Sequence, residues 1–165
     1  MSSPAVKIAD LTDALDLIPD ESAAWLDRAT GRVWIIQDHV MAAAESGDPD
    51  ESADLSEWEE DEYAAARAFC ADAKRGLALP TKFDFHEYHH MERFISTVDN
   101  DAIADQLWRA IKGKGAFRHF KDTAHRLGVI DAWYAYRDAA ARHFMLEWAA
   151  AHDVPVDESP GRAGP

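Results

Sequence analysis

The chain has 165 residues, of which 47% are hydrophobic, with a single cysteine and a formal net charge of −14. That length is expected of one domain with a core large enough to fold without metal or disulfides. Cys70, being alone, excludes a disulfide-rich secreted fold, and no stretch approaches the ~18 consecutive apolar residues of a membrane span. The negative charge favours solubility and disfavours indiscriminate binding to nucleic acid or anionic membranes. The opening stretch MSSPAVKIADLTD has no basic start followed by an apolar run, so a signal peptide is not expected. The reading is a cytoplasmic protein with no membrane partner.

In chain order, Ile8, Leu11, Leu15 and Ile18 recur at helical spacing, and Pro19 ends that helix. SAAWLD and RVWIIQ, joined by a glycine-containing loop, read as a β-hairpin. Pairing Asp27 with Arg32 sets Trp25 opposite Trp34, a favourable cross-strand aromatic pair. Asp38 is placed to cap a short helix, HVMAAAE. Residues 46–56 read as an acidic mobile loop. Ser56 and Glu59 have the spacing of a capping box. The next helix is expected to run to about Arg75 with Gly76 as its C-terminal cap. Its inner face would be Tyr63, Ala66, Phe69, Cys70 and Ala73, which makes Cys70 a buried core thiol.

Leu77 to Pro80 is extended because a residue before proline avoids the helical region. Asp84 with Glu87 is expected to cap a helix whose apolar stripe is Tyr88, Met91 and Ile95. Asp99 or Asn100 caps another, through Trp108 to Ile111. Gly113 and Gly115 interrupt the chain before a helix over 116–126, which Gly128 closes. Asp131 caps a long final helix, and the polar Pro- and Gly-containing residues 153–165 read as a disordered tail. The six tryptophans (Trp25, Trp34, Trp58, Trp108, Trp133 and Trp148) are read mostly as core or interface. The fold class is α+β and mainly α-helical. It is a short N-terminal β-hairpin packed with a bundle of about five to six helices, in one globular domain over residues 1–152.

Charge is distributed in two poles. Residues 45–62 carry ten acids and no Lys or Arg, whereas residues 107–126 carry six Lys or Arg and one acid, Asp122. On a helix, Ala116, Phe117, Phe120, Ala124 and Leu127 form an apolar face. Lys114, Arg118, Lys121 and His125 then form an opposed cationic stripe. With Lys112 and the two glycines ahead of the helix, these residues are the candidate anion-binding surface. The lysine followed by Ser or Thr of a phosphate-binding loop is absent, as is the third glycine of a dinucleotide fingerprint.

Two further groups carry chemistry. His86, Glu87 and His90 match the spacing of a zinc-binding H-E-x-x-H helix, but no third ligand is evident. The histidines, His89 included, are read as solvated, and no metal or cofactor is expected. Arg137 falls on an aromatic stripe of the last helix. A buried lone charge is costly, so it needs a partner among Asp84, Glu87 and Glu92.

Three segments, LALPTKFDFHEYHHMERFI, GKGAFRHFKD and WYAYRDAAARHFMLEW, in that order resemble a bacterial group catalogued as uncharacterised protein family 158 of the UPF series. The resemblance covers most of residues 7–152. It implies that Phe83, Asp84, Glu87, Tyr88, Met91, Glu92, Gly113, Gly115, Ala116, Phe117, Phe120, Lys121, Asp122, Trp133, Tyr134, Arg137 and Trp148 are pattern positions. The histidines are not among them, and the acidic stretch looks like an elaboration. The family has no established activity to carry over.

The functional expectation is a non-enzymatic binding or regulatory module. Its cationic face, Lys114, Arg118 and Lys121, would engage an acidic protein, a phosphate-bearing ligand or RNA, or else the chain's own acidic segment. The alternative is an enzyme with a polar pocket around Asp84, Glu87 and Arg137.

Overall fold

The computed structural model describes residues 4–159 and is mainly helical with a small sheet, an α+β architecture. The span 1–152 read as one domain is carried by two compact units. One runs to Thr81 and resumes at Met145, and the other is Lys82–Phe144.

The first unit begins with β1 (Val6–Lys7) and α1 (Ile8–Leu17). The inner face of α1 is Ile8, Leu11, Ala14 and Leu15. A hairpin follows, β2 (Ser22–Asp27) and β3 (Arg32–Gln37), in the expected register, with Asp27 opposite Arg32 and Trp25 opposite Trp34. The ring contacts differ from the expected pair: Trp25 stacks on Phe69 at 6.0 Å, and the Arg32 guanidinium lies 3.8 Å from the Trp34 ring centre. Gly31 turns the loop at φ 75°, and a Cβ there would come within 2.8 Å of the Ala5 carbonyl oxygen.

Next is α2 (Asp38–Ser46), which starts without a side-chain cap. Asp38 is its first residue, not its N-cap. The stretch read as a mobile loop contains a short helix, α3 (Pro49–Ala53). The Asp48 carboxylate there accepts from Asp50 N, and Pro49 occupies the first turn. The Ser56/Glu59 capping box forms as expected, around a 3₁₀ turn at Glu57–Glu59. It leads into α4 (Glu60–Ala71).

Two expectations for α4 are corrected. The buried face is Glu62, Ala66 and Phe69, so Cys70, one position past it, is exposed, as is Ala73. The helix also stops at Ala71, because the Asp72 carboxylate and carbonyl take up the amides of Lys74 and Arg75 in a turn. Gly76 is therefore no helix cap. It opens β4 (Gly76–Ala78), which pairs antiparallel with β2 to give the order β3-β2-β4.

Residues 153–159 also differ from the expected tail. Val154 is buried, Val6 N donates to the Pro155 carbonyl at 3.0 Å, and β5 (Val156–Asp157) pairs in parallel with β1. Two apolar valines among polar neighbours supply the contacts that the segment's composition conceals. Residues 160–165 of that expectation lie outside the described residues.

Inward-turned acids, two of them from the negative pole, hold this unit together. Asp27, 3% exposed, receives Arg75 Nε at 2.9 Å and Nη2 at 3.0 Å, and its Oδ1 also accepts from Ala29 N. Glu59 and Glu62 are buried too. The Gln37 side-chain amide donates to both at 3.3 Å, the Gln37 backbone N–H donates to Glu62, and His39 lies 2.5 Å from Glu59. Hydrogen bonds from Ser56, its hydroxyl first, hold the Glu59 carboxyl below the ordinary range.

The second unit has α5 (Lys82–Phe85), α6 (Glu87–Ser96), α7 (Asp101–Ala110) and α8 (Ala116–Arg126). The first part of α9 (Ile130–Ala151) completes it. Asn100 caps α7 by accepting from Ile103 N, as expected, and α8 has its expected limits. Asp84 does not cap α6. His86, at φ 55°, breaks the chain between α5 and α6 and stands at the cap position itself. The core is Met91, Phe94, Ile95, Leu107, Ile111, Phe120, Ala124 and Trp133. Tyr88, expected on the stripe, is exposed, and Phe94 takes the buried position.

Two substitutions test the first unit. The Arg75 hydrogen bonds are the main cause holding the Asp27 carboxyl below its ordinary 3.8. A carboxyl depressed on folding stabilises the protein above its unfolded value, and that contribution is lost as the pH falls through its folded value. Asp27→Asn is expected to cost about 2 kcal/mol near neutral pH and little under strong acid, measured by denaturant unfolding across pH. A Cβ at Gly76 would sit 2.4 Å from Phe69 Cγ. Gly76→Ala is expected to cost roughly 2–3 kcal/mol by the same assay, and Phe69→Leu should recover part of it.

Candidate functional site

The rotation of α8 decides where its cations point. Phe120 and Ala124 are fully buried, with Ala116 and Leu127 packed beside them. Phe120 meets Trp133 edge-on at 5.0 Å and Phe94 at 6.3 Å. Phe117, expected to anchor the helix inward, is 47% exposed. It lies one turn before Phe120–Lys121, at the margin of the apolar face.

Phe117 and Lys121 form one wall of an open groove of about 560 Å³. The other walls are Lys82 and Phe83 of α5, His86, and Glu87 and Tyr88 of α6. Three large aromatic side chains are exposed there, Phe83 at 77%, Phe117 at 47% and Tyr88 at 39%. Lys82 Nζ sits 5.9 Å from the Phe83 ring centre, and the Tyr88 hydroxyl donates to the Ile111 carbonyl at 3.2 Å. The groove thus has apolar walls and a cationic rim.

The expected stripe is divided by this rotation. Lys121 reaches the groove. Lys112, Lys114, Arg118 and His125 are exposed but are not among its walls, and Arg118 lies 3.9 Å from Asp122. The left-handed Gly115 stands at the N-cap position of α8, and no side chain caps that end.

Within the polar trio, Arg137 and Glu87 form a close pair. Arg137 Nε donates to Glu87 Oε1 at 2.6 Å, with the two side chains 13% and 20% exposed. The guanidinium also lies 5.6 Å from the Phe85 ring centre. Glu87 is thereby fixed at the groove wall, while Asp84 is exposed. His86 lies outside α6, so His86 and His90 do not share a helical face. Among the described residues, no three His, Cys, Asp or Glu side chains come together as a ligand set. His86 and His89 are exposed, but His90 is half-buried and stacks on Phe85 at 4.3 Å.

The sequence reading did not find Lys82, Phe83 or Tyr88 as groove residues. Tyr88 is expected on the buried stripe and Phe83 only as a pattern position, and the break at His86 brings α5 and α6 to one groove. A search of protein-family models, curated proteins and solved structures finds no match to this chain.

Removing Arg137 would leave Glu87 without its 2.6 Å partner in a mostly dry setting. Arg137→Met is expected to cost roughly 2–3 kcal/mol in chemical unfolding, with Glu87→Gln in the same chain restoring part of it. Burial pushes the His90 imidazole below its ordinary 6.5, and nearby Arg93, His89 and Arg137 act in the same direction. The neutral ring is then the stabilised form, so stability falls as the pH drops below the unfolded value. His90→Gln is expected to flatten the fall in melting temperature between about pH 7 and pH 5.

Proposed function

We propose that this chain is a non-enzymatic binding module whose groove between α5, α6 and α8 takes a short acidic protein segment bearing apolar side chains. One observation carries the reading: three exposed aromatic side chains line the groove beside Lys82 and Lys121. Exposed apolar surface of this kind, rimmed by charge, marks interaction sites. Aromatic walls reward aliphatic or aromatic side chains, and the lysines select for acid between them.

Exposed aromatics next to lysines also suit stacked bases. The charge balance favours the peptide. Two lysines neutralise few phosphates, Glu87 stands in the wall, and the chain carries −14 overall. A cytoplasmic setting fits, since no helix among the described residues is long and apolar enough to cross a membrane. The exposed Cys70 would also stay reduced there.

The test is fluorescence anisotropy with a labelled peptide of alternating Glu and Leu, beside a Glu/Ser control. Binding is expected for the Leu peptide, weakening as salt rises. Phe117→Ala should weaken it about 10-fold and Lys121→Gln about 3-fold. Equal binding of the Glu/Ser peptide, indifference to Phe117→Ala, or displacement by single-stranded RNA at lower concentration would overturn the reading.

A further inference from the structure

Two basic side chains of α8 outside the groove, His119 and Arg126, line a second cleft. His119, Thr123 and Arg126 recur at helical spacing on the flank of α8 facing α7. Gln106, Arg109 and Ala110 of α7 complete this cleft of about 300 Å³. No carboxylate is among its walls. In a chain with 31 acids and 17 Lys or Arg, a wall with two arginines, one histidine and no acid is a strong local bias.

The nearest acids in sequence do not neutralise it. Asp122 is turned toward Arg118, at 3.9 Å. Asp105, one turn before Arg109, makes no ion pair among the described residues. Arg126 is held in place, because its Nη2 donates to Gln106 Oε1 at 3.0 Å. A guanidinium has five N–H donors, so four remain for another acceptor. Thr123 adds a hydroxyl and His119 a ring nitrogen. The cleft is open to solvent, so a phosphate group can reach its walls directly. Unlike the first groove, the walls are polar, and Ala110 is the one apolar side chain among them.

We infer that the Arg109–His119–Arg126 cleft is a binding site for a phosphate dianion, either the free anion or the phosphate group of a monoester. Arg109 on α7 and Arg126 on α8 would clamp the dianion from opposite helices, with forked donors matched to its oxygens. Gln106 presets the Arg126 fork. The last turns of α7 and α8 both carry partial negative charge, which works against an anion, and the two full positive charges of Arg109 and Arg126 oppose it. The site is independent of the proposed peptide groove, with which it shares no wall residue.

The test is a two-dimensional amide NMR titration of the full chain with inorganic phosphate and, separately, with phosphoserine, against chloride at matched ionic strength. Saturable shifts centred on residues 106, 109, 119, 123 and 126 are expected, with an apparent Kd of about 1 mM or below for at least one probe. Tighter binding of phosphoserine would assign the site to phosphorylated side chains, and tighter binding of inorganic phosphate to the free anion. Arg109→Gln and Arg126→Gln should each weaken binding about 10-fold with folded spectra retained, and Lys121→Gln should leave it unchanged. Shifts that grow linearly, equal those from chloride, or respond to Lys121→Gln as strongly as to Arg126→Gln would overturn the assignment. Losing peptide binding to Phe117→Ala while keeping this titration would separate the two sites.

Discussion

The contact on which the second unit's surface depends is Phe120 against Trp133. Both side chains are fully buried, and Phe94 closes the aromatic set at 5.6 Å from Trp133. Edge-on packing of this kind adds directional preference to simple burial. With Phe120 fixed inward, helical geometry leaves no choice for its neighbours. Phe117 and Lys121 turn to one flank of α8, and His119 and Arg126 to the other. Both candidate sites are consequences of how this one ring is seated.

The first unit is organised differently, by acids turned inward. Asp27 joins the hairpin turn to Arg75, and β4 then lays Gly76 against Phe69. Glu59 and Glu62 receive the Gln37 amide, which fixes the end of β3 to α4 and the 3₁₀ turn before it. The negative pole is thus only partly a solvated surface. Two of its acids are structural, which a charge count alone treats as repulsion.

Much of this was legible in the sequence wherever the signal was local. Alternation and the Asp27–Arg32 frame set the hairpin register. Asn100, Ser56 with Glu59, and the Gly115 and Gly128 boundaries set helix ends through caps that act within a few residues. The need of Arg137 for a carboxylate followed from burial, and Glu87 supplies it. What was not legible depends on contacts distant in sequence. His86 adopts a left-handed backbone that its residue type rarely signals, so the helix expected to follow an Asp84 cap starts at Glu87, with a separate short helix before it. Phe117 stands at the edge of an apolar stripe wider than the face actually buried, so only packing on Trp133 decides its side. Cys70 was misplaced for the same reason on α4. The Arg109–His119–Arg126 cluster needs two helices side by side, and no periodicity within either one shows it.

The seating of α8 can be measured directly by cysteine accessibility. In a Cys70→Ser background, cysteines placed singly at positions 117, 119, 120, 121, 124 and 126 would be labelled with a thiol reagent under native conditions. Phe117→Cys, His119→Cys, Lys121→Cys and Arg126→Cys are expected to react at rates near those of an unfolded chain. Phe120→Cys and Ala124→Cys should react only as fast as the protein unfolds. A position 120 that labels faster than position 117 would contradict the rotation on which both sites rest.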